Sequence, residues 1–335
     1  MSILITGGAG YIGSHTAVEL LEHGEDIIIV DNFINSKPEV LEKIKEITKK
    51  DFKFYEVDIL NKEKLEDVFK ENNIKSVIHF AGLKAVGESV EKPLEYFHNN
   101  VTGTLVLLDV MRKFNCKEIV FSSSATVYGN PGTPKYVETM GRGNPSSPYG
   151  TTKAIIEKIL EDLYSSDNSW KISMLRYFNP IGAHSSGLIG DNPNGIPNNL
   201  MPYIQKVAIG ELERLSIFGN NYNTLDGTCI RDYIHVVDLA LGHIRALEKL
   251  ENSGSGVYVY NLGSGKGCSV LELVNTFEKV NNIKVPYIIA PRRQGDLDEF
   301  YADPTKAKNE LNWSTQKSIE DMCKDSWNYI QNSKN

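Results

Sequence analysis

The sequence predicts an α/β fold, a doubly wound parallel sheet with a smaller C-terminal α/β substrate domain. In the first half, short apolar runs dense in β-branched residues alternate with amphipathic stretches. Strand-helix alternation of this kind produces a parallel sheet with right-handed crossovers. After residue 178 the character of the chain changes, because a stretch rich in Gly, Pro, Asn and Ser begins. The second half therefore reads as a separate, smaller unit.

The elements of the first half follow one another regularly. Helical periodicity predicts helices over 12–23, 38–49, 62–72 and 93–114, and Pro93 suits the first turn of the last one. A further strand ends near Tyr177. The apolar runs predict buried strands over 3–5, 27–30, 52–57, 77–80 and 119–121.

The second half is predicted to open with a loop over 179–199. We place the domain boundary there, with a dinucleotide-binding domain over 1–178 and a substrate domain over 179–335. Some elements near 234–262 are expected to return to the first lobe. The shorter elements predicted are helices near 199–209, 237–249, 270–280 and 318–331, and strands near 215–218 and 257–262.

Composition limits the functions open to the chain. An apolar content of 41% and a charged content of 24% over 335 residues are ordinary for a soluble globular protein. The net charge of −7 argues against nucleic acid or an anionic membrane as the main partner. The four cysteines form no CxxC pair and the seven histidines show no ligand spacing, so no disulfide framework and no metal site are predicted. We find no secretory signal and no apolar run of bilayer length, and therefore expect a cytoplasmic protein.

A glycine-rich loop, residues 7–13, follows the first strand and opens the first helix. Its glycines permit a tight turn and let the backbone approach a pyrophosphate, whose charge lies at the helix N-terminus in Rossmann domains. Asp31 ends the next strand, where a carboxylate can bind ribose hydroxyls and would repel a 2′-phosphate. The loop therefore predicts NAD rather than NADP. A second glycine cluster, 263–267, lacks a Ser or Thr after Lys266 and is predicted to be a turn.

Tyr149 and Lys153 open a predicted helix after Pro148 and share one of its faces. Ser124 lies at the end of the fifth strand, at the carboxyl edge where open α/β sheets bind ligands. A free tyrosine has a pKa of about 10, and both the Lys153 ammonium and an oxidised nicotinamide would favour the phenolate. Ser124 could bind the reacting oxygen. Together these residues predict proton and hydride transfer on an alcohol.

Two arginines of the second half, Arg231 and Arg293, lie beside predicted loops. Arginine forms forked, charge-assisted hydrogen bonds to phosphate. From the residues alone, either arginine is more often a surface or structural group.

These motifs carry a resemblance to a known family. The chain resembles the UDP-glucose 4-epimerases, which are extended short-chain dehydrogenases/reductases, along essentially its whole length. The matching stretches are TGGAGYIGSH (6–15), DN (31–32), HFAGLKAVGESV (79–90), NNVTGT (99–104), FSSSATVYG (121–129), SPYGTTK (147–153), RYFNPIGAH (176–184), GIPNNLMPYI (195–204), RDYIHVVDLA (231–240), YNLGSG (260–265) and PRRQGDL (291–297).

The resemblance implies inversion at C4 of a nucleotide-linked hexose, interconverting UDP-galactose and UDP-glucose in galactose metabolism. Tyr149 would take the 4-hydroxyl proton as hydride passes to tightly held NAD. The resulting 4-keto sugar would turn over in the pocket, and hydride would return to its other face. The family also implies a homodimer, paired through helices near 93–114 and 150–165.

The resemblance assigns roles to individual residues, with the NAD domain over 1–178 and the UDP-sugar domain over 179–335. The expected catalytic residues are Ser124, Tyr149 and Lys153. The residues expected to bind NAD are Gly7, Gly10, Tyr11, Ile12, Gly13, Asp31, Asn32, Asn35, Ser36, Asp58, Ile59, Phe80, Ala81, Lys84, Asn99, Ser124, Tyr149, Lys153 and Phe178. The residues expected to bind the UDP-sugar are Lys84, Ser124, Ala125, Thr126, Tyr149, Tyr177, Phe178, Asn179, Asn199, Arg231, Arg293, Asp296 and Phe300.

Relatives on the same scaffold differ at telling positions. Nucleotide-sugar 4,6-dehydratases place Asp-Glu after the catalytic serine or threonine, where this chain has Ala125 and Thr126, so dehydration is disfavoured. Phe300 aligns with a site that gates N-acetylated sugars, and its bulk predicts Glc/Gal substrates over the N-acetyl forms. It departs from the tyrosine of other restrictive members. The alternatives are a dehydratase or uronate epimerase of the same family, and a non-catalytic NAD-binding regulator.

Overall fold

The structure, a computed structural model, describes residues 1–193, 195, 197–293 and 295–333. Its strands are β1 (Ser2–Thr6), β2 (Ile27–Asp31), β3 (Lys53–Glu56), β4 (Ile74–His79), β5 (Glu118–Ser122), β6 (Lys135–Tyr136), β7 (Lys171–Tyr177), β8 (Asn179–Ile181), β9 (Leu215–Phe218), β10 (Ile230–His235), β11 (Gly256–Leu262), β12 (Gly267–Ser269), β13 (Tyr287–Ala290) and β14 (Glu299–Ala302). Its α-helices are α1 (Tyr11–Glu22), α2 (Glu39–Thr48), α3 (Lys62–Glu71), α4 (Val86–Glu91), α5 (Pro93–Tyr96), α6 (Gly103–Lys113), α7 (Pro148–Ser166), α8 (Leu200–Ala208), α9 (Val236–Asn252), α10 (Val270–Asn281), α11 (Thr305–Leu311) and α12 (Ile319–Asn332).

A seven-stranded sheet, in the order β11-β7-β5-β4-β1-β2-β3, forms the centre of the molecule. All its pairings are parallel. Successive residues of one strand pack into different cores: Ile3 and Ile5 contact the layer of α1, α2 and α9, whereas Leu4 contacts the layer of α3, α6 and α7. This confirms the predicted α/β class and the doubly wound sheet. The strand order reverses beside β1, so the carboxyl ends of β1 and β4 form the edge at which such sheets bind ligands.

A second, smaller group of elements follows residue 178. Its sheet runs β12-β10-β14-β6, with β8 paired to β10, and a separate pair joins β13 to β9. One strand of this sheet, β6 (Lys135–Tyr136), comes from before residue 178. Helices α8, α10 and α12 supply its core. The chain returns to the large sheet between these elements, because β11 pairs with β7 and α9 packs against α1. The assignment of an NAD domain up to residue 178 and a UDP-sugar domain beyond it stays a prediction.

Two local predictions were wrong in detail. Residues 93–113 are helical, but a π-helical segment, Phe97–Thr102, separates α5 from α6. The predicted loop over 179–199 begins with β8, since Asn179–Ile181 pair in parallel with β10. The second glycine cluster is a turn between β11 and β12, and the amides of Ser264 and Gly265 donate to the Asp232 carboxylate.

No described helix combines the length and apolarity needed to cross a membrane. Within the described ranges, no group of three or more His, Cys, Asp or Glu side chains is arranged to hold a metal ion.

Candidate active site

A cleft opens at the carboxyl ends of β1, β2 and β4. It encloses about 920 Å³, including the part that is open to solvent. Of the residues predicted to bind NAD, Asp58, Ser124 and Phe178 do not line it, and all the others do. The lining residues are Gly7, Gly10, Tyr11, Ile12, Gly13, Val30, Asp31, Asn32, Ile34, Asn35, Ser36, Val57, Ile59, Phe80, Ala81, Gly82, Leu83, Lys84, Asn99, Tyr149, Lys153 and Tyr177.

The glycine loop between β1 and α1 depends on missing side chains. Gly7 has a positive φ of 71°, which L side chains rarely adopt. A Cβ on Gly13 would lie 2.2 Å from the Gly7 carbonyl oxygen, so the first turn of α1 could not pack against the loop. At Gly10, which caps α1, a Cβ would meet only that same oxygen, at 3.2 Å. The loop therefore brings bare backbone to the cleft at a helix N-terminus, which fits a pyrophosphate.

Asp31 ends β2 and is almost fully buried. Its Oδ2 accepts from the Ala9 amide at 3.0 Å, and its Oδ1 accepts from the Phe33 amide at 2.9 Å and the Ser36 hydroxyl at 2.7 Å. A carboxylate can accept about four hydrogen bonds, so capacity remains for a ribose hydroxyl. Together with the glycine loop, this acceptor makes the cleft fit a dinucleotide without a 2′-phosphate.

Three residues predicted to touch NAD lie behind the cleft wall. Asp58 accepts from the Asn32 side chain at 2.9 Å and therefore orients a lining residue. The Ser124 hydroxyl accepts from the Thr126 hydroxyl at 2.9 Å. Phe178 is buried in an aromatic cluster. Their contact with NAD stays a prediction.

The π-helical segment Phe97–Thr102 organises the opposite wall. It carries Asn99 on the cleft surface and turns Asn100 inward. The Asn100 Oδ1 accepts from the Leu83 amide at 2.7 Å, and its Nδ2 donates to the Leu83 carbonyl at 3.0 Å and to the Thr152 hydroxyl at 3.1 Å. Asn100 thus joins the loop after β4 to helix α7.

Tyr149 and Lys153 lie on one face of α7, as predicted, and both are buried against the cleft. The Ser147 hydroxyl caps this helix by accepting from the Gly150 amide at 3.2 Å. The Lys153 ammonium donates to the Ser122 carbonyl at 2.7 Å, and its Nζ lies 5.9 Å from the centroid of the Tyr149 ring. The lysine is therefore beneath the tyrosine and tied to the end of β5.

Burial dominates the protonation of both groups. It lowers the pKa of Lys153 to about 8, and it raises the pKa of Tyr149 well above its usual value, an effect that the Ser124 side chain opposes. In the protein alone Tyr149 is a protonated phenol. This raised pKa of Tyr149 is that of the protein alone, and the effect expected from the Lys153 ammonium together with an oxidised nicotinamide stays a prediction.

The sugar-side residues lie next to this pair. Ser124 follows β5 and caps a short 3₁₀ helix, Ala125–Tyr128, in which Ala125 is buried. Tyr177 ends β7, lines the cleft and accepts from the Ser122 hydroxyl at 3.1 Å. The predicted Ser124, Ala125, Thr126 and Tyr177 are therefore neighbours at the ends of β5 and β7.

Two predicted phosphate-binding arginines meet at a single carboxylate. Arg293 Nε donates to Asp296 Oδ2 at 2.9 Å, and Arg231 Nη2 lies 3.5 Å from Asp296 Oδ1. The Asn179 Oδ1 is buried and accepts no hydrogen bond from the described residues. Asn199 is exposed and its side chain does not cap α8, although it holds the capping position. This group has donors that a diphosphate could use.

Phe300 faces this group across a strand pairing. It is the register partner of Arg231, whose guanidinium carbon lies 4.9 Å from the centroid of the Phe300 ring. The ring also packs against Tyr136 at 5.8 Å and Phe178 at 5.7 Å, measured between centroids. Phe300 therefore stands between the arginines and the aromatic cluster.

Sequence reasoning missed part of the cleft wall. Gly82 and Leu83 line it, immediately after β4, as does Ile34 after β2. The rule that residues after parallel strands face the ligand could have found them. Phe218, at the end of β9, lies outside the cleft wall but contacts a predicted phosphate-binding residue: it is 41% exposed, and the Arg293 guanidinium carbon lies 5.1 Å from the centroid of its ring.

Comparisons with known proteins show the family to which the chain belongs. A family model described as GDP-mannose 4,6 dehydratase matches residues 4–326. A UDP-glucose 4-epimerase from Bacillus subtilis (strain 168) is 59% identical over 329 residues, which are 98% of this chain and 96% of that protein. The crystal structure of UDP-glucose 4-epimerase from Bifidobacterium longum in complex with NAD+ and UDP has a TM-score of 0.96 at 52% identity, and covers 100% of this chain and 99% of that one.

A UDP-glucose 4-epimerase structure from Stenotrophomonas maltophila, with bound NAD and formylated UDP-arabinopyranose, has a TM-score of 0.97 at 45% identity. It covers 100% of this chain and 99% of that one. The chain belongs to the family of the UDP-glucose 4-epimerases, within the wider group that the GDP-mannose 4,6 dehydratase model describes.

Proposed function

We propose that the protein is an NAD-dependent isomerase that interconverts UDP-galactose and UDP-glucose, by reversible inversion at C4 of the hexose through a 4-keto intermediate. This activity would serve galactose metabolism. The observation that carries the proposal is one cleft that holds both a dinucleotide site and a buried Tyr149–Lys153 pair. Relatives with the same fold over their full length are named for this reaction.

The residues of the chain divide the proton chemistry among them. When bound, NAD would supply the hydride acceptor and a second positive charge in addition to that of Lys153. Tyr149 accepts the proton of the 4-hydroxyl, and Ser124 binds the same oxygen. Lys153, held by the Ser122 carbonyl, keeps an ammonium beneath the phenol and so favours its anion once formed.

The UDP end is held more firmly than the sugar. Arg231 and Arg293 would grip the diphosphate, exchanging part of their contact with Asp296 for phosphate oxygens. The unpartnered Asn179 Oδ1 would accept from a ligand donor. Around the sugar the chain offers mainly aromatic and small side chains, which allow the 4-keto sugar to turn over. These residue roles are part of the proposal.

Phe300 supports a narrower substrate choice, UDP-hexoses over their N-acetyl forms. Its ring fills the space between Arg231 and Phe178. A bulkier sugar substituent would have to displace it.

A 4,6-dehydratase is the second candidate, because the matching family model carries that description. Dehydration needs an acid and a base at the sugar, whereas this chain places buried Ala125 and neutral Thr126 beside Ser124. The Thr126 hydroxyl is also engaged by Ser124. Product mass separates the candidates, since dehydration loses water and epimerisation conserves mass.

We also propose a cytoplasmic homodimer, with NAD bound by residues 1–178 and the UDP-sugar by residues 179–335. Exposed apolar side chains on α4 to α6 support the dimer: Val86 is 46% exposed, Val90 62%, Leu94 78% and Leu105 47%. The four cysteines are buried and unpaired, as is usual in a reducing compartment.

The decisive experiment supplies UDP-galactose to the purified protein with no added nucleotide and follows UDP-glucose by chromatography. We expect conversion, because the cofactor stays bound between turnovers. Tyr149→Phe should lose activity about 10²- to 10⁴-fold while retaining NAD, measured by absorbance after gel filtration. A product lighter by one water would support the dehydratase, and conversion only after NAD is added would contradict the retained cofactor.

A further inference from the structure

One helical turn beyond Lys153 lies a third buried titratable side chain, for which the proposed reaction has no role. Glu157 is on the same face of α7 as Tyr149 and Lys153, and none of its surface is exposed. A carboxylate taken out of water costs free energy unless it is paired and hydrogen-bonded. The hydrogen-bond partners of Glu157 therefore indicate which elements of the structure it holds together.

Three hydrogen bonds reach the Glu157 carboxylate. Arg176 on β7 binds both oxygens, with Nε 2.9 Å from Oε1 and Nη2 2.7 Å from Oε2. The Ser123 hydroxyl donates to Oε1 at 2.7 Å. Arg142 is more distant, with Nη1 3.6 Å from Oε2, and it binds Glu161 at 2.6 Å instead. One carboxylate thus joins α7 to β7 and to the residue that follows β5.

The residues that bind Glu157 lie next to residues of the predicted catalytic site. Ser123 stands between Ser122, whose carbonyl accepts from Lys153, and the predicted catalytic Ser124. Arg176 stands one residue before the end of β7. A carboxylate that fixes Ser123 and Arg176 also fixes how the catalytic helix sits against both strand ends.

The same carboxylate sets the charge environment of Lys153. Among the described residues, Glu157 is the carboxylate whose charge opposes the effect of burial on the pKa of Lys153, which burial lowers to about 8. From β5, Lys153 meets the Ser122 carbonyl and the Phe121 ring. The other titratable groups around it are kept neutral by burial: Tyr149 on α7, His79 on β4, Tyr177 on β7 and His243 on α9.

We propose that Glu157 is a positioning residue of this site: through Ser123 and Arg176 it holds the catalytic helix in register with the strand ends, with its carboxylate on the same helix face as the Lys153 ammonium. The inference rests on the proposed epimerase activity.

The main test is the double variant Glu157→Gln/Arg176→Gln, which removes both charges and leaves no lone charge in the core. Lys153 is an ammonium below its pKa, and removing the negative charge of Glu157 lowers that pKa further. The alkaline limb of kcat should therefore move to lower pH, with kcat at about pH 8 reduced about tenfold. KM for UDP-galactose should change less than about twofold, since neither residue contacts the UDP group.

Two single variants separate the two effects. Ser123→Ala keeps the charge of Glu157 and removes one hydrogen bond, so kcat should fall while the alkaline limb stays in place. Glu161→Gln is the matched control, because Glu161 lies one turn further along α7 and pairs with Arg142. It should change neither kcat nor the limb.

The outcomes are distinguishable. If the wild type converts UDP-galactose, but the double variant keeps the wild-type limb and Ser123→Ala keeps the wild-type kcat, the inference is overturned and the proposed function stands. If the wild type converts nothing, the proposed function itself fails. Should the double variant not fold, Glu157→Asp replaces it: a shortened carboxylate should lower kcat, and an unchanged kcat would overturn the inference.

Discussion

Two polar residues of the cleft wall, Asp31 and Lys153, are almost fully buried. Asp31 is satisfied by three donors, and Lys153 by one carbonyl and the nearby charge of Glu157. Burial makes each interaction stronger than it would be in water, and it makes an unpaired group costly. It also decides the resting state, because it keeps Tyr149 protonated until a cation enters the cleft. In the protein alone, Tyr149 therefore lies at the cleft as a neutral phenol.

At the same scale, Phe300→Cys should admit N-acetylated sugars. The change removes a ring that packs on Phe178 and lies against Arg231, and it opens space beside the sugar region. We expect at least about a tenfold gain in kcat/KM for UDP-N-acetylgalactosamine, with UDP-galactose activity retained. Tyr301→Cys is the control, because it alters the next residue of β14, whose side chain points to the other face of the strand. No gain in the Phe300 variant would count against the gate.

Among the elements, those with regular hydrophobic periodicity could be predicted and those set by tertiary contacts could not. The strands of the large sheet follow from apolar runs, and α7 follows from a helical pattern that begins at Pro148. β10 could not be predicted, because Asp232 and His235 interrupt its apolar pattern and are accommodated by distant partners, Ser264 and Asp325. The π-helical segment could not be predicted from the sequence either, since over six residues its side-chain pattern does not differ from that of an α-helix.

Some residues of the site could be predicted from the sequence, whereas their protonation and their tertiary contacts could not. The glycine loop, Asp31 and the Tyr149–Lys153 pair follow from residue types placed at strand and helix ends. The protonation state of Tyr149 could not, because it depends on burial. The contacts of Glu157 also require the folded molecule, since Ser123 follows β5 and Arg176 lies in β7.

Asn100 tests the role of the π-helical segment. Asn100→Ala removes the bonds to both backbone groups of Leu83 and to the Thr152 hydroxyl, and it leaves buried polar groups unpaired. We expect a loss of about 2–4 kcal/mol in the free energy of unfolding, measured in urea, and faster release of NAD. Asn168→Ala is the control, since the exposed Asn168 side chain donates only to the Tyr164 carbonyl of its own helix end. Equal stability of the two variants would contradict this account.

At the scale of the whole molecule, contacts between parts of the chain that are distant in sequence join the cleft to the second half of the chain. The Tyr11 hydroxyl donates to the Gly182 carbonyl at 2.7 Å, and the Lys84 ammonium lies 3.5 Å from the Asp191 carboxylate. Both Tyr11 and Lys84 line the cleft. Because β11 and α9 return to the large sheet, the elements that hold the two arginines are tied to the dinucleotide site at several points. Such a scaffold suits a cofactor that is retained while the substrate exchanges.

The proposed dimer gives the last prediction. Val86, Val90 and Leu94 are exposed on α4 and α5, and exposed apolar side chains grouped in this way mark interfaces. Leu94→Glu would bury a charge without a partner in such an interface, so we expect a monomer at micromolar concentration, measured by sedimentation, where the wild type has twice the chain mass. Leu225→Glu is the matched control: this leucine is fully exposed elsewhere and its variant should stay dimeric. A monomeric wild type, or a dimeric Leu94 variant, would exclude this face as the interface.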